Sequence, residues 1–239
     1  MSLFKKYGFL IFWVILFVDC GICLSDNQDL ASYRLYTKPL MIPILAIIFF
    51  INTKRSKHSR TKAFVYAGFL FAFLADLLLI KTDLITKNNN DNYLTLAIAM
   101  YSLGFLAYTI VFKKMNKLNI KDCQEAFLTA IVMVIGSFIF YKVLSTVELG
   151  NTKYVIFFLM IVVTLMIALA VNVFKSKLRK NIAYQFLIPA SIILIISVSI
   201  IIAHRFILLD ATFLPGIVVL TYGFGQLLLL RGFIKYLKA

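Results

Sequence analysis

Long apolar runs alternate with short polar segments along the entire chain. A helix that crosses the hydrocarbon core of a bilayer needs about 20 predominantly apolar residues. Eight runs approach this length, and they predict eight transmembrane helices. Their approximate bounds are residues 8–24, 35–51, 63–80, 93–112, 126–147, 154–174, 182–203 and 211–230. The pattern therefore predicts an all-α fold, a polytopic membrane bundle of eight helices that forms a single transmembrane domain over residues 1–239.

The composition favours a lipid environment over an aqueous one. Hydrophobic residues make up 62% of the 239 residues, and charged residues make up 15%. Ordinary soluble domains average about 45–50% apolar and about 25% charged residues. So few polar side chains cannot cover the surface of a water-soluble domain, and a disordered chain would be far less apolar.

The basic residues are distributed as expected for membrane loops. The formal net charge of +15 could indicate nucleic-acid binding, but the lysines and arginines form short clusters between apolar runs. Of the 25 Lys and Arg residues, 18 lie at the two termini and in the second, fourth and sixth loops. Because cytoplasmic loops carry such an excess, we expect both termini in the cytoplasm. The sequence thus predicts a multi-pass integral protein of the cell (inner) membrane with no nucleic-acid partner.

The first apolar run has a second interpretation, a cleaved signal peptide, because Lys5 and Lys6 precede it. Asp19 interrupts this run, however, and no small-residue cleavage site follows it. We therefore interpret it as the first span.

The sequence contains no soluble-enzyme or metal-binding motif. Cys20 and Cys23 form a C-x-x-C pair inside an apolar run, but no second pair exists, and His58 and His204 lie outside the runs. A structural zinc site needs four such ligands at defined spacings. We therefore predict no metal and no cofactor.

Three ionisable residues interrupt the predicted spans near one face of the membrane. Asp19 and Asp76 lie close to the outer ends of the first and third spans, and Lys38 lies at the outer edge of the second. Charges inside spans are costly and usually mark function. We expect the three groups to share the outer third of the bilayer. A structural ion pair between Asp76 and Lys38 is the alternative.

Other polar residues are expected to face the bundle interior. Gly68, Ala72 and Asp76 are spaced by four and line one side of a helix, where small residues allow close packing. The fourth and eighth spans carry further inward-facing candidates, namely Tyr101, Tyr108, Tyr222 and Gln226. These four side chains are candidates for substrate binding, with interhelical hydrogen bonding as the alternative.

Four short segments stand out along the spans. They are Thr37-Lys38-Pro39-Leu40-Met41, Ala75-Asp76-Leu77-Leu78-Leu79, YSLGFLAYTIVF from Tyr101 to Phe112, and YGFGQ from Tyr222 to Gln226. Their order, on eight spans, resembles the YhhN family of lysoplasmalogenase-like membrane proteins. The similarity extends over nearly the whole chain, and its specificity comes from the order and spacing of the segments.

The resemblance implies hydrolysis of the vinyl-ether bond of lysoplasmalogens, which gives a fatty aldehyde and a glycerophospho-amine. One carboxyl group protonates the vinyl β-carbon and a second activates the attacking water. Asp76 matches the first acid of the family, and Ser197 matches the serine beside the second. Val198 occupies the position of the second acid. Asp19 is the expected replacement, and His204 is a weaker one.

Two other positions depart from the family pattern, since Ala75 replaces a glycine and Phe105 replaces a frequent histidine. The predicted catalytic residues are Asp76 and Asp19. The predicted substrate-binding residues are Lys38, Tyr101, Tyr108, Ser197, Tyr222 and Gln226. The predicted partner is a lysophospholipid within the membrane lipid, whose phosphate Lys38, Lys81 and Arg205 could hold from the same side.

A non-catalytic lipid-binding or transport protein of the same fold is the main alternative, because Val198 cannot transfer a proton. A small-solute carrier would place polar groups at the midplane on broken helices, whereas the charges here lie in the outer third. A cavity around Asp76, Asp19 and Lys38 would favour catalysis, and an Asp76 sealed against Lys38 would favour the alternative. The sequence leaves the headgroup preference and the oligomeric state open.

Overall fold

The computed structural model describes residues 2–25, 33–85, 91–116, 123–208 and 211–238, with the backbone alone at 2–6, 81–85 and 91. In these ranges the chain forms eight helices that are long and apolar enough to cross a membrane, and no strand. They are α1 Ser2–Leu24, α2 Arg34–Thr53, α3 Ser59–Ile85, α4 Asp91–Met115, α5 Gln124–Leu144, α6 Thr152–Phe174, α7 Lys180–Phe206 and α8 Leu214–Lys238. The predicted all-α architecture of eight spans is confirmed.

Several Ser and Thr hydroxyls within the spans are satisfied by their own helices. Thr109 donates to the carbonyl of Phe105 at 2.7 Å, and Ser191 donates to the carbonyl of Leu187 at 2.7 Å. Both bonds join a residue to the one four positions earlier. Because lipid offers no hydrogen-bond partners, this local bonding lets Ser and Thr lie in an apolar helix at little cost.

Seven of the eight helices form a closed ring. Neighbouring pairs around it are α1–α2, α2–α3, α3–α4, α4–α6, α6–α7, α7–α8 and α8–α1, and α8 also contacts α2. Helix α5 lies outside the ring and packs against α6, and only two of its residues, Ala126 and Leu144, are fully buried. The interior of the bundle is therefore formed by the ring, and α5 contributes little to it.

Glycines allow close helix contacts in the ring. A methyl group on Gly104 of α4 would lie 3.3 Å from the carbonyl oxygen of Gly68 of α3, so the two backbones nearly touch. Helix α8 also has close-packed glycines, and they lie on two of its sides. Its first two close-packed glycines, Gly216 and Gly223, face leucines of α1, and the next two, Gly225 and Gly232, face leucines of α7.

Helix α7 widens into a π-helical turn at Ala183–Leu187. Pro189 follows this turn, and because it has no N–H it cannot complete the regular ladder. Wider π turns are one way in which a helix accommodates such an interruption. Gly232 of α8 packs against the widened turn, where a methyl group would lie 2.7 Å from Leu187 Cδ2.

The beginning of α1 and the end of α8 lie at one end of the bundle, here called the terminal end. The guanidinium of Arg231 lies 5.2 Å from the ring centre of Phe9, and Lys238 Nζ donates to Asn52 Oδ1 at 3.1 Å. The opposite end, called the distal end, carries the beginnings of α2, α4, α6 and α8. The assignment of the terminal end to the cytoplasm remains a prediction.

Candidate functional site

Asp76 of α3 is enclosed in the middle of the ring, with none of its side chain exposed. Tyr101 of α4 donates a hydrogen bond from Oη to Asp76 Oδ1 at 2.6 Å. The ring of Tyr222, from α8, meets the Tyr101 ring edge-on with centroids 5.6 Å apart. The Tyr222 hydroxyl faces the carboxylate without completing a hydrogen bond, and Asp76 Oδ2 has no partner within the described part of the chain. The carboxyl is thus fixed through one oxygen, while the other is uncommitted.

Lys38 of α2 is nearly buried, with 4% of its surface exposed. Its ammonium is close enough to attract the Asp76 carboxylate, but the two groups do not form an ion pair within 4.0 Å. Among the described residues, Lys38 has no other hydrogen-bond or ion-pair partner. The structure therefore does not contain the direct ion pair between Lys38 and Asp76 that was the alternative.

Asp19 of α1 has partners of its own. Thr37 of α2 donates to Asp19 Oδ1 at 2.5 Å, and Arg34 Nε lies 3.9 Å from the same oxygen. Asp19 is fully buried, and Oδ2 has no hydrogen-bond partner in the described ranges. The adjacent residues Thr37 and Lys38 therefore serve two different carboxylates, with Thr37 on Asp19 and Lys38 beside Asp76. Residue counting along the spans predicted that Asp19 and Asp76 lie at the same depth in the membrane. In the structure, both carboxylates lie close to a single turn of α2, the turn that carries Thr37 and Lys38.

A second polar pair lies deeper in the ring. Tyr108 Oη donates to Gln226 Oε1 at 3.0 Å, and both side chains are fully buried. Gln226 follows Tyr222 by one helical turn, so the pair lies about 6 Å further from the distal end. Gly68 makes room for the Tyr108 ring, since any side chain there would overlap it. Both side chains point into the bundle, as the sequence predicted, and a hydrogen bond between two helices accounts for this pair.

Positions 197 and 198 of α7 face different neighbours. Ser197 is buried and donates to the carbonyl of Val218 on α8 at 3.2 Å. Val198 instead lines a crevice of about 170 Å³ between α5, α6 and α7. Phe105, the other departure from the family pattern, is buried and stacks on Tyr101 with ring centres 6.5 Å apart. The side chain at 198 thus points away from α8, and Phe105 supports the tyrosine that holds Asp76.

A cavity of about 240 Å³ opens at the distal end. Four basic or titratable side chains line one part of it, namely Arg34, Lys38, His204 and Arg205. Apolar side chains line the rest, namely Leu79, Leu94, Ile201, Pro215, Val218 and Val219. Neither Asp76 nor Asp19 reaches the cavity wall, whereas Lys38 both lines the cavity and lies beside Asp76.

The cavity and the Asp76 cluster are stacked along the bundle axis. Leu79, in the cavity wall, follows Asp76 by three residues and so lies about 4.5 Å nearer the distal end of α3. Val218, also in the wall, is one turn from Tyr222, or about 6 Å. The enclosed carboxyl therefore lies roughly one helical turn beneath the cavity floor.

The sequence predicted only some of the residues that line the distal cavity. Lys38 and Arg205 were expected on this side, and both line it. The Lys81 side chain, also expected there, lies outside the described side chains. Arg34 was missed as a site residue, although its position four residues before Lys38 on one helix places both on the same face. This four-residue spacing is the sequence feature from which Arg34 could have been predicted as a site residue.

Two further cavities are lined mainly by apolar side chains, and the described residues contain no metal cluster. The larger of the apolar grooves, about 380 Å³, lies between α5 and α6 and is lined mainly by aromatic and aliphatic side chains. Within the described ranges, no group of three or more His, Cys, Asp or Glu residues is placed to hold a metal ion. The polar chemistry of the bundle is concentrated at the distal cavity and the cluster beneath it.

A family model described as the YhhN family matches residues 33–233 of the chain. Neither a curated protein nor a solved structure matches the chain significantly. The matched range contains Asp76, Tyr101 and all residues that line the distal cavity, whereas Asp19 precedes it.

Proposed function

The chain belongs to the YhhN family, as its motifs predicted, and on that premise we propose that it hydrolyses the vinyl-ether bond of lysoplasmalogen-like lysolipids inside the membrane. The products are a fatty aldehyde and a glycerophospho compound. The observation that carries the proposal is the position of Asp76, a buried carboxyl fixed by Tyr101 one helical turn beneath a cavity with a basic wall. A lysolipid has the same order of groups, because only its glycerol separates the phosphate from the vinyl ether.

The reaction requires one proton donor and one water molecule. Asp76, in its acid form, transfers its proton to the vinyl β-carbon, which leaves an oxocarbenium ion at the carbon bonded to oxygen. Water adds to that carbon and gives up a proton to the Asp19 carboxylate. The resulting hemiacetal then breaks its bond to the glycerol oxygen, which takes the proton from Asp19, while the hemiacetal hydroxyl returns its proton to Asp76. The products are an alcohol and an aldehyde, and both carboxyl groups regain their starting forms. Atoms balance with water as the co-reactant.

The residues around Asp76 have distinct roles in this scheme. Tyr101 holds Oδ1, and Oδ2, which has no partner among the described residues, is the oxygen that carries the transferred proton. The Lys38 ammonium stabilises the carboxylate that remains after proton transfer, at a site where water does not screen the attraction. Asp19 supplies the second carboxyl, which accepts the proton of the attacking water.

The decisive experiment measures aldehyde release from a lysoplasmalogen by the purified full-length protein. We expect Asp76→Asn to lower the rate by about 100-fold or more, since loss of a general acid costs 10²–10⁴-fold. Glu125→Gln is the matched control, because it makes the same carboxyl-to-amide change on an exposed side chain that pairs with Lys175. No release by the wild-type protein, or equal release by the wild type and Asp76→Asn, would refute the proposal.

One observation favours a second candidate, a non-catalytic lipid-binding or transport protein of the same fold. Val198 lines the crevice beside α5 and α6, so neither its chemistry nor its direction supplies the family's second acid to Asp76. In that case the wild-type protein binds lysoplasmalogen but releases no aldehyde, and Asp76→Asn leaves binding unchanged.

A further inference from the structure

Tyr222 of α8 carries a buried hydroxyl that the fold itself does not use. The residue is 3% exposed, and its Oη has no hydrogen-bond partner within the part of the chain that the structure describes. The other two tyrosines of the ring interior differ, because Tyr101 donates to Asp76 and Tyr108 donates to Gln226. Burying a hydroxyl without a hydrogen bond costs free energy. A phenylalanine would fill the same space without that cost, so the hydroxyl requires another explanation.

The Tyr222 hydroxyl faces the Asp76 carboxyl, whose Oδ2 is also without a partner among the described residues. The ring of Tyr222 is held by its edge-on contact with the Tyr101 ring, with centroids 5.6 Å apart. Tyr101 is in turn fixed to Oδ1 by its hydrogen bond of 2.6 Å. A donor without an acceptor therefore lies beside an acceptor without a donor.

A hydrogen bond between these two groups depends on the protonation state of Asp76. In the acid form Oδ2 carries the proton, whereas in the carboxylate form it is a free acceptor that a rotating phenol O–H can reach. A hydrogen bond to an ionised acceptor is roughly twice as strong as one between neutral groups. The charged and titratable groups that face Asp76 come from four helices and are Lys38 of α2, Asp19 of α1, Tyr101 of α4 and Tyr222.

We propose that Tyr222 is a positioning residue for proton transfer, and that its hydroxyl bonds Asp76 Oδ2 as the carboxylate forms. The inference rests on the proposed function, in which Asp76 gives its proton to the vinyl β-carbon. The electron pair of the broken O–H bond stays on Oδ2, and the Tyr222 O–H turns to donate to it while Tyr101 continues to donate to Oδ1. The Tyr222 O–H bond itself stays intact. An interaction that is stronger after the transfer than before it lowers the barrier of that step.

The first measurement is the steady-state release of aldehyde by full-length Tyr222→Phe. We expect kcat to fall about tenfold or more, as for the loss of one donor to a developing anion. KM should stay at the wild-type value, because the bond does not exist when the substrate binds. Tyr66→Phe is the matched control, since it makes the same change on a half-buried tyrosine that packs against Phe49. Tyr66 lies about 15 Å from Asp76 along α3, and its variant should keep the wild-type rate.

The second measurement does not require hydrolysis. The protonated fraction of Asp76 is followed by infrared spectroscopy from about pH 4 to about pH 9, as the carboxylic C=O band that Asp76→Asn removes in each background. We expect the titration midpoint in Tyr222→Phe to lie about 1 pH unit above that of the wild type, which is a tenfold lower ratio of carboxylate to acid. The reason for this direction is that the variant lacks a donor that bonds only the ionised form. Tyr66→Phe should keep the wild-type midpoint.

Thermal unfolding in detergent, at a pH below the Asp76 midpoint, separates this role from packing. Tyr222→Phe keeps the ring and removes a hydroxyl that has no partner among the described residues. Its unfolding midpoint should therefore equal or slightly exceed that of the wild type. Tyr108→Phe is the comparison, because it leaves Gln226 Oε1 buried without its donor and should lower the midpoint by several degrees.

Three results would overturn the inference. The same Asp76 titration in the wild type and Tyr222→Phe means that the hydroxyl does not bond the carboxylate. An unchanged rate in Tyr222→Phe removes its role in proton transfer, and an unfolding midpoint as low as that of Tyr108→Phe means that the hydroxyl serves packing. Each of these leaves the hydrolysis proposal standing, whereas absence of aldehyde release from the wild type refutes that proposal and leaves the titration to decide whether Tyr222 bonds the carboxylate.

Discussion

At the scale of single residues, the site is organised by the way in which each carboxylate is held. Asp76 is bound through one oxygen by Tyr101, and Asp19 is bound through one oxygen by Thr37 with Arg34 beside it. In both groups the second oxygen has no partner among the described residues. A buried polar atom without a partner is uncommon in folded proteins and needs an explanation. Two such atoms, on carboxylates close enough to repel each other, are what a two-carboxyl mechanism requires.

The role of Asp19 can be tested separately from that of Asp76. We expect Asp19→Asn to lower the rate of aldehyde release by about 100-fold or more while leaving the melting temperature close to the wild-type value. The amide oxygen can still accept from Thr37, so the local packing is retained. The measurement is the turnover rate together with thermal unfolding in detergent.

Thr37→Val provides the structural comparison for this prediction. It removes the hydrogen bond to Asp19 and keeps the carboxylate. If Asp19 acts only through packing, Thr37→Val will impair the protein as much as Asp19→Asn does. Aldehyde release retained by Asp19→Asn would show that another group activates the water.

At the scale of helices, the sequence could predict which faces point inward but not which residues meet. The spacing of Gly68, Ala72 and Asp76 gave the packed face of α3, because a four-residue repeat fixes one side of a helix. The hydrogen bonds of Tyr101 with Asp76 and of Tyr108 with Gln226 depend on how α3, α4 and α8 are placed around the ring. Periodicity within one helix contains no information on that placement.

The contact of α3 with α4 gives a prediction at this scale. A side chain at position 68 overlaps the Tyr108 ring, so Gly68→Ala must displace that ring and strain its hydrogen bond to Gln226. Overpacking of this kind typically costs about 1–3 kcal/mol. We therefore expect Gly68→Ala to lower the midpoint of thermal unfolding in detergent by several degrees.

Gly136→Ala is the matched control for this substitution. Gly136 lies on α5, outside the ring, and an added methyl group meets no atom within 4 Å. Alanine is also the better helix former, so the midpoint should stay the same or rise slightly. A similar loss of stability in both variants would mean that the contact of Gly68 with Tyr108 does not limit the packing of α3 against α4.

At the scale of the whole molecule, seven helices enclose the polar cluster and the eighth lies outside them. Sequence analysis gave the number of spans correctly but treated all eight as one bundle. The exclusion of α5 could not be predicted, because in lipid the protein-facing and lipid-facing sides of a helix are equally apolar. Depth along a span, in contrast, was readable from residue counting, and this is why Asp19, Asp76 and Lys38 were expected together.

The orientation of this ring in the membrane decides which leaflet supplies the distal cavity. The excess of basic residues at the terminal end predicts that this end faces the cytoplasm, so the cavity should open toward the outer leaflet. The check is labelling of single cysteines in intact cells with a membrane-impermeant maleimide, in a background where Cys20, Cys23 and Cys123 are alanine. Asn151→Cys, exposed at the distal end, should react at once, whereas Lys177→Cys, exposed at the terminal end, should react only after the cells are permeabilised. The reverse pattern would place the cavity in the inner leaflet, and the lysolipid would then have to reach Asp76 from the cytoplasmic side.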